Sequence, residues 1–465
     1  MGSAVCKVQT TYIKGRSILD GPVIVNEIIK WAKRKKKKTM IFKVDFEKAF
    51  DSLNWGYLDD ILNQMGFGEK WRAWVRGCIS TARVSVLVNG SPTKKFHMEK
   101  GVRQGDPLAP FLFILDAEGL NVARKEAQNK GLFKGIHFDN MGEEVSILQY
   151  ADDTIFLGDW SRSNAANLVR ILKCFQICSG LKVNMEKGKV MGVMVNNEEV
   201  KRMARLLHCR EGSIPFTYLG MPMGEKMARV SSWKPIIEKF KVRLSDWKAR
   251  NLSIGGRLCL CKSVLGSLGS YFFSLFKVPS KVINILESIR CRFFWGGSEE
   301  KRKFCWVAWD KVLNSKENGG LVIGSLKSLN LAMLGKWWWR YRTDTDAMWR
   351  GIVNNFYGSS GGLSDGNRSK AKGGVWGSIV GLKKDLDERG INLDNLFQLD
   401  SINARWKWVK EKDGCYSVAS LRRIVDCTLL PGADRETYWN TWVPAKVNVH
   451  LSSMEGTTGA TGYQR

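Results

Sequence analysis

Two adjacent aspartates, Asp152 and Asp153, interrupt an otherwise apolar stretch that reads SILQYADDTIFLG over residues 146–158. The flanking residues are typical of β-strands, so the stretch predicts two strands joined by a tight turn at the acids. Neighbouring carboxylates at such a turn raise each other's pKa unless a cation neutralises them. Because no His or Cys stands beside them, the hard oxygen ligands favour Mg²⁺ or Mn²⁺ over zinc.

A catalytic pair of metal ions needs a third carboxylate, and Asp45 is the candidate. It follows the apolar segment at the start of TMIFKVDF, residues 39–46, which predicts a strand. If that strand pairs with the hairpin, Asp45 lies beside Asp152. Three acids on adjacent strands could then hold two divalent ions about 3.5–4 Å apart, as in phosphoryl transfer. Ordinary acids at a strand edge are the alternative that spacing alone leaves open.

The same Asp-Asp dipeptide occurs at residues 59–60, in the stretch WGYLDDILNQM, and serves as an internal comparison. There the apolar residues follow a helical period, which predicts a solvated helix face rather than a site.

The elements that must position the acids follow from periodicity and turn residues. An Asn-Gly pair at 89–90, preceded by alternating valines, predicts a hairpin. Helical patterns run from Pro110 to about Lys130 and near 163–179, and a further strand is predicted around 182–195.

The second half of the chain has a different amino-acid composition. From about residue 228 it changes to helices rich in Lys, Arg and Trp, whose tryptophans we interpret mainly as core residues, with base stacking as the alternative. A Gly/Ser-rich linker is predicted at 357–374, and a further unit is predicted to begin near Val375. The Gly/Thr-rich residues 451–465 are predicted to be disordered.

Charge favours a nucleic-acid partner. The 465 residues include 73 Lys or Arg and 45 Asp or Glu, for a formal net charge of +28 that is spread along the chain. Such a field attracts polyanions. A merely basic protein, or one that touches anionic membranes, is the alternative.

The chain is expected to be intracellular, and the nucleus is the expected location. Its 11 cysteines are scattered without a CxxC pair and it has 4 His, which gives little support to a zinc site or a disulfide framework. No signal pattern or long apolar run predicts secretion or a membrane span. The run KRKKKK at 33–38 is either a nuclear-import or phosphate-binding patch, or a solvated loop.

Five blocks of the sequence occur in the order of the conserved blocks of reverse transcriptases: KVDFEKAFDSLNW, GVRQGDPLAPFLF, LQYADDTIFLG, GLKVNMEKGKV and YLGMPMG. From about Tyr12 to about Tyr357 the chain resembles the polymerases of non-LTR (LINE-type) retrotransposons, particularly those of plants. The resemblance implies an α+β fold. A polymerase palm, with an antiparallel sheet and packed helices, would precede a helical thumb and a Trp-rich, mainly helical C-terminal region.

The resemblance also implies segment boundaries. These are a remnant of the fingers at 1–38, the palm at 39–227, the thumb and helical connection at 228–356, the linker at 357–374, a partial C-terminal domain at 375–450 that resembles the start of a zinc-binding region, and the tail at 451–465.

Functional residues follow from the same resemblance. The catalytic acids and metal ligands would be Asp45, Asp152 and Asp153. The nucleotide would contact Phe50, Arg103, Gln104, Gly105 and Lys187, and the primer 3′ end would be gripped by Tyr218, Leu219 and Gly220. Phe50 matches an aromatic gate that leaves no room for a 2′-hydroxyl, with a core Phe as the alternative. Lys187 matches a basic residue near the triphosphate, with an exposed lysine as the alternative.

The implied activity is that of an RNA-dependent DNA polymerase, which uses two Mg²⁺ or Mn²⁺ ions and extends a DNA primer on an RNA template with dNTPs. The chain is expected to be truncated at both ends, because it starts after the family's fingers block and its match at 414–450 stops before any metal-ligand cluster. No zinc is assigned. A catalytically dead, nucleic-acid-binding remnant is the alternative, and Phe50 disfavours an RNA-dependent RNA polymerase.

Overall fold

The computed structural model describes residues 4–138, 144–244, 251–263, 268–297, 303–363, 373–400 and 405–430. Over these residues the fold is α+β, as predicted. The described chain forms two compact units: the first runs to Gly224 and includes Asp346–Gly361, and the second comprises the rest. The predicted tail, half of the predicted linker (364–372) and residues 431–450 lie outside the described residues. The assignment of the predicted segments as fingers, palm, thumb and C-terminal domain stays a prediction.

The helices are α1 (Asp20–Lys35), α2 (Ala49–Ser52), α3 (Trp55–Gln64), α4 (Glu69–Ser80), α5 (Ala109–Asn129), α6 (Arg162–Ser179), α7 (Asn197–Leu206), α8 (Lys234–Arg243), α9 (Ile254–Ser263), α10 (Ser270–Phe273), α11 (Ser280–Trp295), α12 (Trp309–Leu313), α13 (Leu326–Thr343), α14 (Met348–Tyr357), α15 (Gly374–Val380), α16 (Leu382–Asp387), α17 (Leu393–Leu396) and α18 (Val418–Leu429). The strands are β1 (Thr39–Val44), β2 (Arg83–Val84), β3 (Leu87–Val88), β4 (Ser91–Pro92), β5 (Phe96–His97), β6 (Ile147–Tyr150), β7 (Asp153–Asp159), β8 (Lys189–Val193), β9 (Arg210–Glu211), β10 (Phe216–Tyr218), β11 (Met221–Met223), β12 (Phe397–Asp400) and β13 (Arg405–Trp408).

A sheet in the order β6-β7-β1-β8-β9 forms the centre of the first unit. Strand β1 is antiparallel to β7 and to β8, so the predicted pairing of β1 with the acid hairpin is confirmed. Met40, Phe42 and Val44 of β1 belong to a core that includes residues of α3, α5 and α6. Ile41, on the other face of the strand, is also buried, which explains why the apolar residues of β1 do not alternate strictly with polar ones.

Helix α1 contacts β6, β8 and β11, and it also packs against α14, which belongs to the first unit although it lies far along the chain. Tyr357 of α14 is buried, and its hydroxyl contacts the Glu27 carboxylate and lies 2.8 Å from Lys30 Nζ. Burial raises the pKa of Tyr357 above its usual range, and the negative charge of Glu27 raises it further. This contact explains why α14 belongs to the first unit.

The local predictions agree with the structure in most places. The predicted Asn-Gly turn joins β3 to β4, with positive φ at Asn89 and Gly90, and α5 and α6 begin within one residue of the predicted positions. The strand predicted around 182–195 begins only at Lys189. Asn184 causes the difference, because its side-chain oxygen accepts a hydrogen bond from the Lys187 N–H at 3.0 Å and forms a turn.

Tryptophans of the second unit lie mainly in its core. Trp337 and Trp338 of α13 are buried, and their indole N–H groups donate to the backbone oxygens of Ser274 at 2.7 Å and Ile379 at 2.8 Å. Trp408 is also buried. These side chains are therefore structural, as we interpret most of the tryptophans. Within the described ranges, no helix has the length and apolar character that crossing a bilayer requires.

Candidate active site

The acid hairpin closes with a two-residue turn. Tyr150 of β6 pairs with Asp153 of β7, which leaves Ala151 and Asp152 in the turn. Ala151 has a φ of 51°, in the left-handed region that tight antiparallel hairpins require and that residues other than glycine rarely adopt. The turn is held in place from outside, because the Ala151 N–H donates to Gln9 Oε1 at 3.1 Å.

Gln9 belongs to an N-terminal segment that extends the sheet. The Thr10 N–H donates to the Gln149 backbone oxygen at 2.9 Å, and the Gln149 N–H donates to the Val8 oxygen at 3.0 Å. Gln9 is not among the predicted site residues, because its contact with Ala151 joins positions 142 residues apart and no local pattern marks it.

Asp45 directly follows β1 at the same end of the sheet. Because Val44 pairs with Thr154, the next position along the strand is opposite Asp153. The predicted neighbour of Asp45 is Asp152. The observed register instead places Asp45 opposite Asp153, because Asp152 lies in the turn. The Asn184 N–H donates to the Asp45 backbone oxygen at 2.8 Å, which brings the chain leading to Lys187 alongside.

The three carboxylates affect one another. Burial raises the pKa of the Asp152 carboxyl above its usual range, and the negative charges of Asp153 and Asp45 raise it further. The negative charges of Asp153 and Asp45 therefore act on the Asp152 carboxyl. A cation bound among the three carboxylates would relieve their mutual repulsion.

Two lysines form ion pairs with these acids. Lys187 Nζ lies 3.4 Å from Asp45 Oδ2, and Lys43 Nζ lies 3.5 Å from Asp153 Oδ1. Lys187 is a predicted site residue, whereas Lys43 is not. A signal was present, because Lys43 stands two positions before Asp45 on the same strand and so projects from the same face of the sheet.

The predicted primer-grip residues form a second tight turn nearby. Leu219 and Gly220 join β10 to β11, and both have positive φ, at 48° and 74°, as a type I′ turn requires. Tyr218 is buried, and its ring centroid lies 6.0 Å from Lys43 Nζ. The ring also lies so close to α1 that a Cβ at Gly21 would be 3.1 Å from it. The turn is therefore held both by α1 and by the lysine of β1.

Phe50 lies in α2, five residues after Asp45. Its half-buried ring lies 5.1 Å from the ring of Phe113 in α5, and its backbone oxygen accepts from the Val102 N–H at 2.7 Å. Gly101 makes this approach possible, because it has a φ of 79° and a Cβ there would lie 2.6 Å from the Asp51 oxygen. The chain that leads into the predicted nucleotide-binding loop is thus fixed beside Phe50.

The loop itself is solvent-exposed. Arg103, Gln104 and Gly105 precede α5 and are all exposed, and Gly105 has a φ of 88°. Asp106 orders the loop, because its carboxylate accepts from Arg103 Nη2 at 2.7 Å and from the Leu108 N–H at 2.9 Å. Arg103 is therefore already engaged by a carboxylate that a phosphate group would have to replace.

The comparison dipeptide has a different environment. Asp60 is exposed, as predicted, while Asp59 pairs with Arg72 and Arg76, each at 2.8 Å. Asp60 therefore faces solvent, whereas Asp59 is half-buried and neutralised by two arginines.

The donor chemistry at the hairpin suits a divalent cation, but the side-chain arrangement needs adjustment. In the part of the chain that the structure describes, no group of three or more His, Cys, Asp or Glu side chains is arranged to hold a metal ion. Three carboxylates of the type that Mg²⁺ or Mn²⁺ prefers are near one another. Asp45 and Asp153 are each engaged by a lysine, so both carboxylates would have to turn toward an ion.

Comparison with known proteins supports the interpretation of this site. Residues 1–223 match the family described as reverse transcriptase (RNA-dependent DNA polymerase). A protein of Arabidopsis thaliana, named as a ribonuclease H protein, is 31% identical over 174 residues, which are 37% of this chain and 28% of that protein. The transposon TX1 protein of Xenopus laevis, of 149 kDa, is 24% identical over 75% of this chain and 26% of its own length.

A Pol polyprotein from the type-1 retrotransposable element R2 of Popillia japonica is 27% identical over 39% of this chain and 25% of its own length. This chain spans about a quarter of the length of these curated relatives. The order of the acids along the chain, the two tight turns and these matches are consistent with one another. Residues 1–223 of this chain are therefore similar to the reverse transcriptase (RNA-dependent DNA polymerase) family, and the relatives from transposon TX1 and retrotransposable element R2 support a reverse transcriptase of the non-LTR type.

Proposed function

We propose that this chain extends the 3′-hydroxyl of a DNA primer with dNTPs on an RNA template. The observation that carries the proposal is the register of β1 against β7, through which Asp45 lies at the end of the sheet that bears Asp152 and Asp153. Three carboxylates at one sheet end are suited to phosphoryl transfer, because the reaction needs positive charge at both the attacking and the leaving oxygen.

Asp45, Asp152 and Asp153 would hold two Mg²⁺ or Mn²⁺ ions, which lower the pKa of the primer hydroxyl and neutralise charge on the phosphates. The chain's own residues supply the positioning. The turn at Tyr218, held by α1, would orient the primer end. Lys187, whose side chain is 66% exposed, is free to move from Asp45 toward a triphosphate at little cost.

Template and primer would be held through their phosphates by the basic surface that the net charge of +28 provides. Primer extension on poly(rA)/oligo(dT) with Mg²⁺ and dTTP tests the proposal, and the full chain is expected to lengthen the primer. Salt-sensitive binding of poly(rA) without any extension would contradict it and would support the nucleic-acid-binding remnant instead.

Truncation of the proposed gate residue is expected to relax sugar selection. With Phe50→Ala, the preference for dNTPs over ribonucleotides should fall about 10- to 200-fold, because the lost ring leaves room for a 2′-hydroxyl. Single-nucleotide incorporation with dTTP and UTP measures the ratio. Phe111→Ala is the matched control, since Phe111 is a partly exposed ring on α5. An unchanged preference in a stably folded Phe50→Ala variant would refute the gate.

We also propose that the chain enters the nucleus through its basic segment. Lys33, Arg34, Lys35 and Lys36 are exposed, while Lys37 and Lys38 pair with Asp159 and Glu199. A fluorescent fusion of the full chain is expected to be nuclear, and replacement of residues 33–36 by Ser should redistribute it to the cytoplasm. Unchanged nuclear fluorescence after that replacement would contradict the assignment.

A further inference from the structure

Lys43 links two parts of the proposed site. Its ammonium lies 3.5 Å from Asp153 Oδ1 on the acid hairpin and 6.0 Å from the centroid of the Tyr218 ring, beside the predicted primer-grip turn. The residue lies within β1, two positions before Asp45, so the pleat of the strand directs both side chains to the same face. One cation therefore contacts the hairpin that bears two of the acids and the turn that would hold the primer.

The two lysines of the site differ in how firmly they are held. The Lys187 side chain is 66% exposed and follows a turn, whereas the Lys43 side chain is 29% exposed. The Lys43 backbone pairs with Ile155 on one side and with Lys189 on the other. Lys187 can leave its carboxylate without disturbing the sheet, whereas the backbone of Lys43 is paired on both sides and its side chain is the more buried of the two.

We propose that Lys43 is a positioning residue for the polymerase reaction, which holds the Asp153 carboxylate beside the Tyr218 turn and limits how tightly the three acids bind a divalent cation. The inference rests on the proposed function. Its physical basis is that the ammonium repels a cation bound at the same carboxylates and competes for the Asp153 oxygen. Two such charges about 5–6 Å apart in a solvated site change a binding constant about tenfold.

Binding of Mn²⁺ to the full chain, followed by electron paramagnetic resonance, tests the electrostatic part without any turnover. Lys43→Met should lower the Kd for Mn²⁺ about tenfold, while Lys43→Arg, which keeps the charge, should leave it within about threefold. Lys38→Met is the matched control. It removes a lysine 3.0 Å from Glu199 at the other end of β1 and should leave the Kd unchanged.

Primer-extension kinetics test the positioning part. Lys43→Met should lower kcat about tenfold at saturating Mg²⁺, because Asp153 and the Tyr218 turn are no longer held by one cation, and should leave KM for dTTP unchanged. Lys43→Arg should restore most of kcat. A purely structural lysine would instead lower the thermal unfolding midpoint and would leave the Kd for Mn²⁺ unchanged. Lys43→Gln provides a second neutral variant if Lys43→Met does not fold.

The outcomes separate this inference from the function on which it rests. If Asp152→Ala abolishes Mn²⁺ binding while Lys43→Met leaves the Kd unchanged, the role of Lys43 is refuted and the proposed function stands. If Asp152→Ala has no effect on Mn²⁺ binding, the proposed function itself fails, and the inference fails with it.

Discussion

Asp152→Ala is expected to lower the rate of primer extension by at least about 10³-fold, because it removes several kcal/mol of transition-state stabilisation at about 1.4 kcal/mol per tenfold. Asp152 lies in the hairpin turn, and the negative charges of Asp153 and Asp45 raise the pKa of its carboxyl beyond the effect of burial. Affinity for poly(rA) should change less than twofold, since removal of one acid does not weaken phosphate contacts made by distant basic residues.

Matched substitutions make this prediction specific. Asp45→Asn keeps the size of the side chain and should cause a comparable loss, although Asp45 lies 107 positions from Asp152 in the sequence. Asp60→Ala should have no effect, because Asp60 belongs to the same dipeptide in an exposed helical setting. Extension that survives Asp152→Ala at more than a tenth of the original rate would rule out a catalytic role for the hairpin acids.

Asp116→Val is expected to raise the free energy of unfolding by about 3–5 kcal/mol at pH 7. Asp116 lies on α5 and is fully buried, between the buried side chains of Leu112 and Leu120 one turn away on either side. Neither carboxylate oxygen has a hydrogen-bond partner among the described residues. A buried polar group without a partner is destabilising, and an apolar side chain at this position removes the penalty.

The same carboxyl gives the stability of the fold a pH dependence. Burial raises the pKa of Asp116 well above its usual value, and burial is the resolved cause. Above about pH 4 the unfolded chain releases this proton while the folded chain keeps it, so stability falls as pH rises, by up to about 1.4 kcal/mol per unit, until the folded pKa is passed. The stabilisation by Asp116→Val should therefore be small near pH 4 and larger at pH 7.

Two further variants separate charge from polarity at this position. Asp116→Asn should remove this pH dependence but keep the cost of an unpaired polar group, whereas Asp116→Ala should remove both. Thermal unfolding followed by circular dichroism between pH 4 and pH 8 measures all of these variants. Tyr57 is the titratable neighbour, and its pKa is raised by burial and further by Asp116. An Asp116→Val variant that melts below the unmodified chain at pH 7 would show that the carboxyl has a partner.

Several elements were predictable because their signals are local. The period of α5 and α6, and the Asn-Gly turn between β3 and β4, depend on residues adjacent in the sequence, and the structure agrees with them closely. The pairing of β1 with the acid hairpin was also predictable, since both segments are apolar and both end in acids. The onset of β8 at Lys189 was missed, because the Asn184 side-chain oxygen accepts a hydrogen bond from the Lys187 N–H and forms a turn there.

The candidate site was predictable in its residue types and less so in its contacts. Asp45, Asp152, Asp153 and Lys187 come together, but Lys43 and Gln9 were missed. The first looks like an ordinary polar position in a strand, and the second acts through a single hydrogen bond to Ala151. Asp116 was missed because an acid in a helical pattern is usually solvated. Only the packing around α5 makes it buried.

The sequence by itself determined the order of the blocks, the types of the elements and the presence of acids suited to a divalent cation, because these follow from side-chain chemistry and short-range periodicity. The tertiary structure decided which lysine pairs with which acid, how the hairpin turn is held and which carboxyl is buried without a partner. Those properties depend on distances between residues far apart in the chain and on the exclusion of water, and both exist only once the sheet and helices have packed.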